Sequence, residues 1–199
     1  ERQLFKLSTK FNKPALVSYF EPQQIVFSEA GAAKLVHKMR MMLENNPDFV
    51  FVKCDIKNAF NSISRARIIQ VLEGEESLKH LAWQAALSLA PAGALENNGK
   101  VWGEAQDGVI QGNPSAGGYF AVGLHPQLRQ LDREVSAAGG TAGAGCDDLG
   151  AVGPPEVVFR ALQAFWRDIA ASNWREARLR CTLLQVCCLQ GLQQVLLGL

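Results

Sequence analysis

Apolar residues recur along this chain with two different periods. Between residues 28 and 44 they fall at Leu35, Val36, Met39, Met42 and Leu43, one stripe of a helix. Ser28 stands where an N-cap belongs, and the stretch NNPDF ends the run. Residues 49–56, FVFVKCDI, switch to period two and are rich in β-branched and aromatic side chains, which predicts a strand. Alternation sends Val50, Val52, Cys54 and Ile56 to one face and Phe51, Lys53 and Asp55 to the other. A charge inside so apolar a run is costly without a partner, so Asp55 belongs at the strand end or against a cation.

Helical spacing then returns. Ser64 can cap RARIIQVLEG, and EESLKHLAWQAALSLA gives a further helix stopped by Pro91. PAGALENNGK reads as a Gly/Asn loop, and VWGEAQDGVIQGNP as a short hairpin or an extended segment. Pro114 opens a helix that keeps Phe120, Leu124, Leu128, Leu131 and Val135 in register. Residues 141–152 form a hairpin with Cys146, Asp147 and Asp148 at its turn, and PPEVVFRALQAFWRDIAAS is an amphipathic helix with Val158, Leu162, Phe165 and Ile169 inward. Strands separated by several helices predict an α+β fold, a small antiparallel sheet packed on helices.

Composition changes this picture at the chain ends. The 199 residues carry a net charge of +1, but residues 1–67 hold eleven Lys/Arg against six Asp/Glu. A basic first third suits phosphates or is simply a solvated face. Five cysteines show neither metal-ligand spacing nor a disulfide framework, which favours a reducing compartment. His37, His80 and His125 are scattered and read as surface or packing residues. Residues 181–199 contain no charge, but their four glutamines and two glycines argue against a membrane span. The expected organisation is one domain over 1–180 and a tail over 181–199, foreign, degraded or a helix lacking its partner.

The chemistry sits in three stretches, VKCDIKNAFNSISR, GVIQGNPSAG and GCDDLGAVG. Asp147 and Asp148 alone suit a turn, where aspartate is common. Asp55 and Asp147, however, both stand at ends of strands that can pair. Carboxylates brought together raise each other's pKa unless a cation lies between them. Two Mg²⁺ ions (or Mn²⁺) would relieve that repulsion, and two such ions roughly 4 Å apart can serve both oxygens of a phosphoryl transfer.

In order and approximate spacing these stretches resemble motifs A, B and C of the reverse transcriptase palm, in the non-LTR, LINE-like group and its group II intron relatives. DIKNAF is similar to motif A and QGNPSAG to the QGDP segment. GCDD stands where the family has an aromatic, an alanine and two aspartates. EPQQIVFSEAGAAKLVHKMR resembles the segment before motif A. The resemblance covers about residues 15–170 and implies a palm with part of the fingers. It implies an RNA-directed DNA polymerase that extends a DNA primer on an RNA template with dNTPs, in an intracellular, nuclear setting. Asp55 and Asp147 would bind metal together with the Ile56 backbone, and Asp148 would be a third catalytic-site carboxylate. Phe60 would be the steric gate against ribose, while Gln111 and Gly112 would line the nucleotide. Lys34, Lys38 and Arg40, otherwise a solvated face, become candidate template contacts.

The chain departs from the pattern at Asn113, where the family has aspartate, and at Gly145 and Cys146 before the doublet. Gly145 removes a ring that would support the primer end. The lysine-bearing segment after motif C would fall near 180–199, where the charge-free tail stands instead, and the basic fingers strand and the thumb are expected from a longer polyprotein. Two rivals stay open. One is a non-catalytic palm-like remnant that binds nucleic acid or a protein; the other is an RNA-dependent RNA polymerase palm, which Phe60 disfavours. Phe60 by itself would equally be a core residue.

Overall fold

The computed structural model describes residues 2–89, 93–109, 113–172 and 178–185. In chain order the elements are α1 (Arg2–Phe20), α2 (Gly31–Asn45), β1 (Val50–Lys57), α3 (Ala59–Ser62), α4 (Arg65–Gly74), α5 (His80–Leu89), β2 (Gly93–Asn97), β3 (Lys100–Ala105), α6 (Ala116–Ser136), β4 (Thr141–Gly145), β5 (Asp148–Gly153), α7 (Pro155–Ala171) and β6 (Arg178–Gln185). Four strands form one sheet in the order β4-β5-β1-β6, and every neighbouring pair is antiparallel. β2 and β3 form a separate hairpin. The expected α+β architecture is what the chain adopts.

β1 is central because alternation gives it a fully apolar face. Val50, Val52, Cys54 and Ile56 are buried. They meet the inward stripes of α6 and α7, where Phe120, Leu124, Leu128, Leu131, Val135, Val158, Leu162, Phe165 and Ile169 are all buried as the spacing predicts. The other face of the sheet carries α2. Gly143 and Gly150 are cross-strand partners in β4 and β5. A Cβ at Gly143 would come within 2.7 Å of Leu35, and one at Gly150 within 2.9 Å of Phe51 and 3.1 Å of Met39. The glycine pair is therefore a flat floor that lets α2 close on the sheet, which accounts for the glycine spacing of the hairpin. Beyond Phe51 that face is left open, and Lys53 and Asp55 are exposed.

Several expectations fail for local reasons. Ser28 does not cap α2. The helix begins at Gly31 behind Ala30 in the left-handed region, with no side-chain cap, because backbone bonds Ser28 N–H to Ile25 O and Gly31 N–H to Ser28 O wind the preceding turns. Val36 points outward, 66 % exposed, leaving Met39 as the buried member of the expected stripe. α5 begins at His80, because residues 76–79 form turns that bury Leu78. The expected Gly/Asn loop over 91–100 contains β2, joined to β3 through Asn98 and Gly99, both at positive φ. α1 and β6 have no counterpart among the expected elements, and β6 crosses the proposed 180/181 boundary to run to Gln185. Residues 186–199 lie outside the described residues. Ser64 does cap α4, accepting from the Arg67 N–H.

One packing residue sets an acid limit. His125 on α6 is fully buried, 4.6 Å from the ring of Tyr19 and 5.2 Å from that of Phe20 between ring centroids. Burial pushes its pKa down to about 4, against a backbone hydrogen bond with Tyr19 that raises it and with a smaller push down from the charge of Arg129. Unfolded, the imidazole titrates near 6.5. Above that pH neither state is protonated; below it only the unfolded chain takes up the proton. Stability is therefore expected to fall from pH 6.5 towards 4, by about 3 kcal/mol in all. Urea unfolding between pH 7.5 and 4 checks this, and His125→Phe should flatten that part of the profile.

Candidate active site

The open end of the sheet gathers the acidic side chains. In the β1–β5 ladder Asp55 lies directly opposite Asp148. Asp147 occupies the two-residue turn with Cys146, between β4 and β5. This refines the expected pairing: the strand partner of Asp55 is the second aspartate of the doublet, and Asp147 stands one residue earlier at the tip. Burial pushes the Asp147 carboxyl above its ordinary pKa, its own backbone N–H pulls it down, and the charges of Asp148 and Asp55 push it up further. The repulsion anticipated for neighbouring carboxylates is thus felt at Asp147.

Asp148 has a partner of its own. Lys53, on the same face of β1 as Asp55, places its Nζ 3.1 Å from Asp148 Oδ1. Both side chains are about half exposed or more, so the pair contributes at most about 1 kcal/mol and opens readily. Cys146 is not a nucleophile at neutral pH, since burial and then the charges of Asp147 and Asp148 raise its thiol to about 11.

Residues that no motif flagged hold the hairpin in place. Gln24, fully buried, clamps both polar groups of the turn residue Cys146: its Oε1 accepts from the Cys146 N–H at 2.9 Å and its Nε2 donates to the Cys146 carbonyl at 3.2 Å. At the base, Asp132 Oδ1 accepts from the Ala142 N–H at 2.8 Å and from Thr141 Oγ1 at 3.1 Å, while Gln23 Nε2 donates to Asp132 Oδ2. Cys146 has φ 61°, a left-handed conformation that the Gln24 clamp maintains. A buried glutamine within EPQQ carries no signal of that role in sequence.

Phe60 lies on α3, just past β1, half-buried, with its ring stacked on Phe120 at 4.7 Å and 20°. The Val109 N–H donates to the Phe60 carbonyl at 2.7 Å and the Gly108 N–H to that of Ile63 at 2.8 Å. Arg65, buried, donates to Gly108 O and Leu89 O, both at 2.8 Å. The segment leading to residues 110–112 is therefore stitched to the turn that carries Phe60. Gln111 and Gly112 themselves lie outside the described residues. Of the α2 cations, Arg40 pairs with Glu44 at 2.7 Å, Lys38 donates to Thr141 Oγ1 at 2.8 Å, and Lys34 is exposed.

The carboxylates of Asp55 and Asp147 near the sheet end are donors of the type that a hard divalent cation takes. Among the described residues no three His, Cys, Asp or Glu side chains converge as a ready-made metal cluster. The tie of Asp148 to Lys53 is the physical counterpart of that fact. No described helix is long and apolar enough to cross a membrane.

No protein-family model matches the chain, and no curated protein does. Solved structures do. Apo telomerase from Candida tropicalis superposes with a TM-score of 0.65 at 10% identity, over 93% of this chain and 37% of that one. Telomerase from Candida albicans in complex with a fragment of telomeric RNA gives 0.64 at 12% identity, over 90% of this chain and 34% of that one. The Candida tropicalis enzyme truncated from its C-terminal domain gives 0.60 at 10% identity, over 90% and 40%. The chain thus shares its fold with part of these telomerase chains and spans between about a third and two fifths of their length.

Proposed function

We propose that this chain is the catalytic palm, with part of the fingers, of an RNA-directed DNA polymerase of the LINE-like type. The observation that supports the reading is a clamped hairpin whose tip carries Asp147 and whose next residue, Asp148, faces Asp55 on the central strand, in a chain that shares its fold with part of telomerase. Asp55, Asp147 and the Ile56 carbonyl would hold Mg²⁺ or Mn²⁺, which would supply charge neutralisation to the phosphates of a bound dNTP. The chain's own residues do the rest. Gln24 and Asp132 fix the hairpin, so the Asp147 carboxylate needs no reorganisation on binding. Phe60, backed by Phe120, would sit beneath the sugar and exclude ribose. Lys53 would release Asp148 once a cation competes for it. Lys34, at the exposed edge of α2, would meet the template backbone. RNA template, DNA primer, remaining fingers and thumb are assigned to a longer polypeptide, acting in the nucleus.

One observation favours a second reading. The Lys53–Asp148 ion pair occupies one of the three carboxylates internally, and no three-ligand cluster is formed among the described residues. A palm kept for binding alone, to nucleic acid or protein, would look like this. Primer extension on an RNA template, with the chain carrying its fingers and thumb, separates the possibilities. Incorporation of dNTPs supports the polymerase; incorporation of NTPs points to RNA-dependent RNA synthesis; neither, in folded protein that still binds template, leaves the binding role.

A further inference from the structure

Cys54 and Cys181 are the feature that the catalytic reading does not use. They are 127 residues apart in sequence and directly paired across the β1–β6 ladder. Their sulfurs lie 2.6 Å apart, against about 2.05 Å in a disulfide. Cys54 is fully buried, while Cys181, half-buried on the other strand, is within reach of solvent. Cys146 is engaged elsewhere, its thiol donating to the Gly117 carbonyl.

We propose that Cys54 and Cys181 form an oxidative modification site, a cross-strand disulfide made by exchange with a low-molecular-weight disulfide such as oxidised glutathione. The sulfur of Cys181, the accessible one, attacks the glutathione disulfide. Its S–S bond breaks, one glutathione leaves as thiolate, and Cys181 carries the other as a mixed disulfide. The sulfur of Cys54 then attacks that of Cys181, a new S–S bond joins the two strands, and the second glutathione leaves. Two protein thiols are oxidised, one glutathione disulfide is reduced to two thiols, and the two protons given up by the protein thiols end on the departing glutathione thiolates. The bond would strap β6 to β1 one residue from Asp55. β6 pairs with β1 along one side, so a covalent link there removes its main route of detachment.

The folded chain is incubated with oxidised glutathione, the remaining thiols are alkylated in denaturant without reductant, and the peptides are mapped by mass. The expected result is a Cys54–Cys181 cross-linked peptide, 2 Da lighter than the reduced pair, and amide exchange in β6 slowed by tenfold or more. Cys181→Ser should abolish the cross-link and leave β6 exchange unchanged by glutathione. Three results overturn the proposal: both cysteines alkylated, glutathione retained on Cys181 with Cys54 free, or Cys54 linked to any other cysteine. A cross-link without slower β6 exchange overturns the strapping.

Discussion

Asp147→Ala should lower primer extension by at least about a thousandfold, equivalent to ~4 kcal/mol of transition-state stabilisation, while the protein stays folded. The effect is large because the side chain has one role. It sits at a hairpin tip, and it is pushed above its ordinary pKa by burial and by Asp148 and Asp55 against the pull of its own backbone N–H. A carboxyl whose folded pKa is raised destabilises the fold at pH values above its unfolded pKa, where it must be held charged. The alanine variant should therefore melt no lower than wild type at pH 7, and its advantage should disappear towards pH 3–4. Activity is read by single-turnover extension and folding by calorimetry. Near-normal extension by the variant would remove Asp147 from the chemistry. A lower melting point would mean that the hairpin tip is structural instead.

Phe60→Val should raise the use of NTPs relative to dNTPs by tenfold or more in kcat/KM, each tenfold being about 1.4 kcal/mol of discrimination. The ring has one face on Phe120, which fixes its tilt, and is otherwise half-exposed beside the end of β1. A ring held this way can exclude a 2′-hydroxyl because it has nowhere to retreat. A purely structural Phe60 predicts something different. Losing the stacked ring would then cost stability of a few kcal/mol and slow both nucleotides alike. The ratio measured on folded variant protein decides, and an unchanged ratio takes Phe60 out of the site.

What could be read from the chain depended on how local the cause was. The strand over 50–57 was legible because its alternation is written into eight consecutive residues, and the Ser64 cap because the hydroxyl and the N–H that donates to it lie three residues apart. The inward stripes of α6 and α7 follow from spacing alone. β3 lies mostly in the stretch expected to be extended, but β2 falls in the expected loop although Asn98-Gly99 supplies the two positive-φ residues of a tight hairpin turn; flanking residues without alternation hide it. Ser28 failed as a cap because turn bonds from Ile25 onward had already set the helix entry. At the site, the acidic residues were legible as types, but their arrangement was not. Which aspartate faces Asp55 depends on ladder register, and the Lys53–Asp148 pair, the Gln24 clamp and the Cys54–Cys181 contact each join residues about 95 to 127 positions apart. Separations of that length leave no periodic trace.

The same separations set the order in which a newly made chain can complete itself. β1 has no sheet partner until β5 begins at Asp148, 91 residues after Lys57. At roughly 5–20 residues per second of synthesis, that leaves FVFVKCDI without a strand partner for about 5–18 s. An apolar, β-branched and aromatic stretch waiting that long is a template for pairing with other copies of itself. Only Lys53 and Asp55 interrupt it, placed on one face and two residues apart. The charges that lie exposed on the open sheet face in the finished molecule are also the gatekeepers that keep its central strand soluble while it waits.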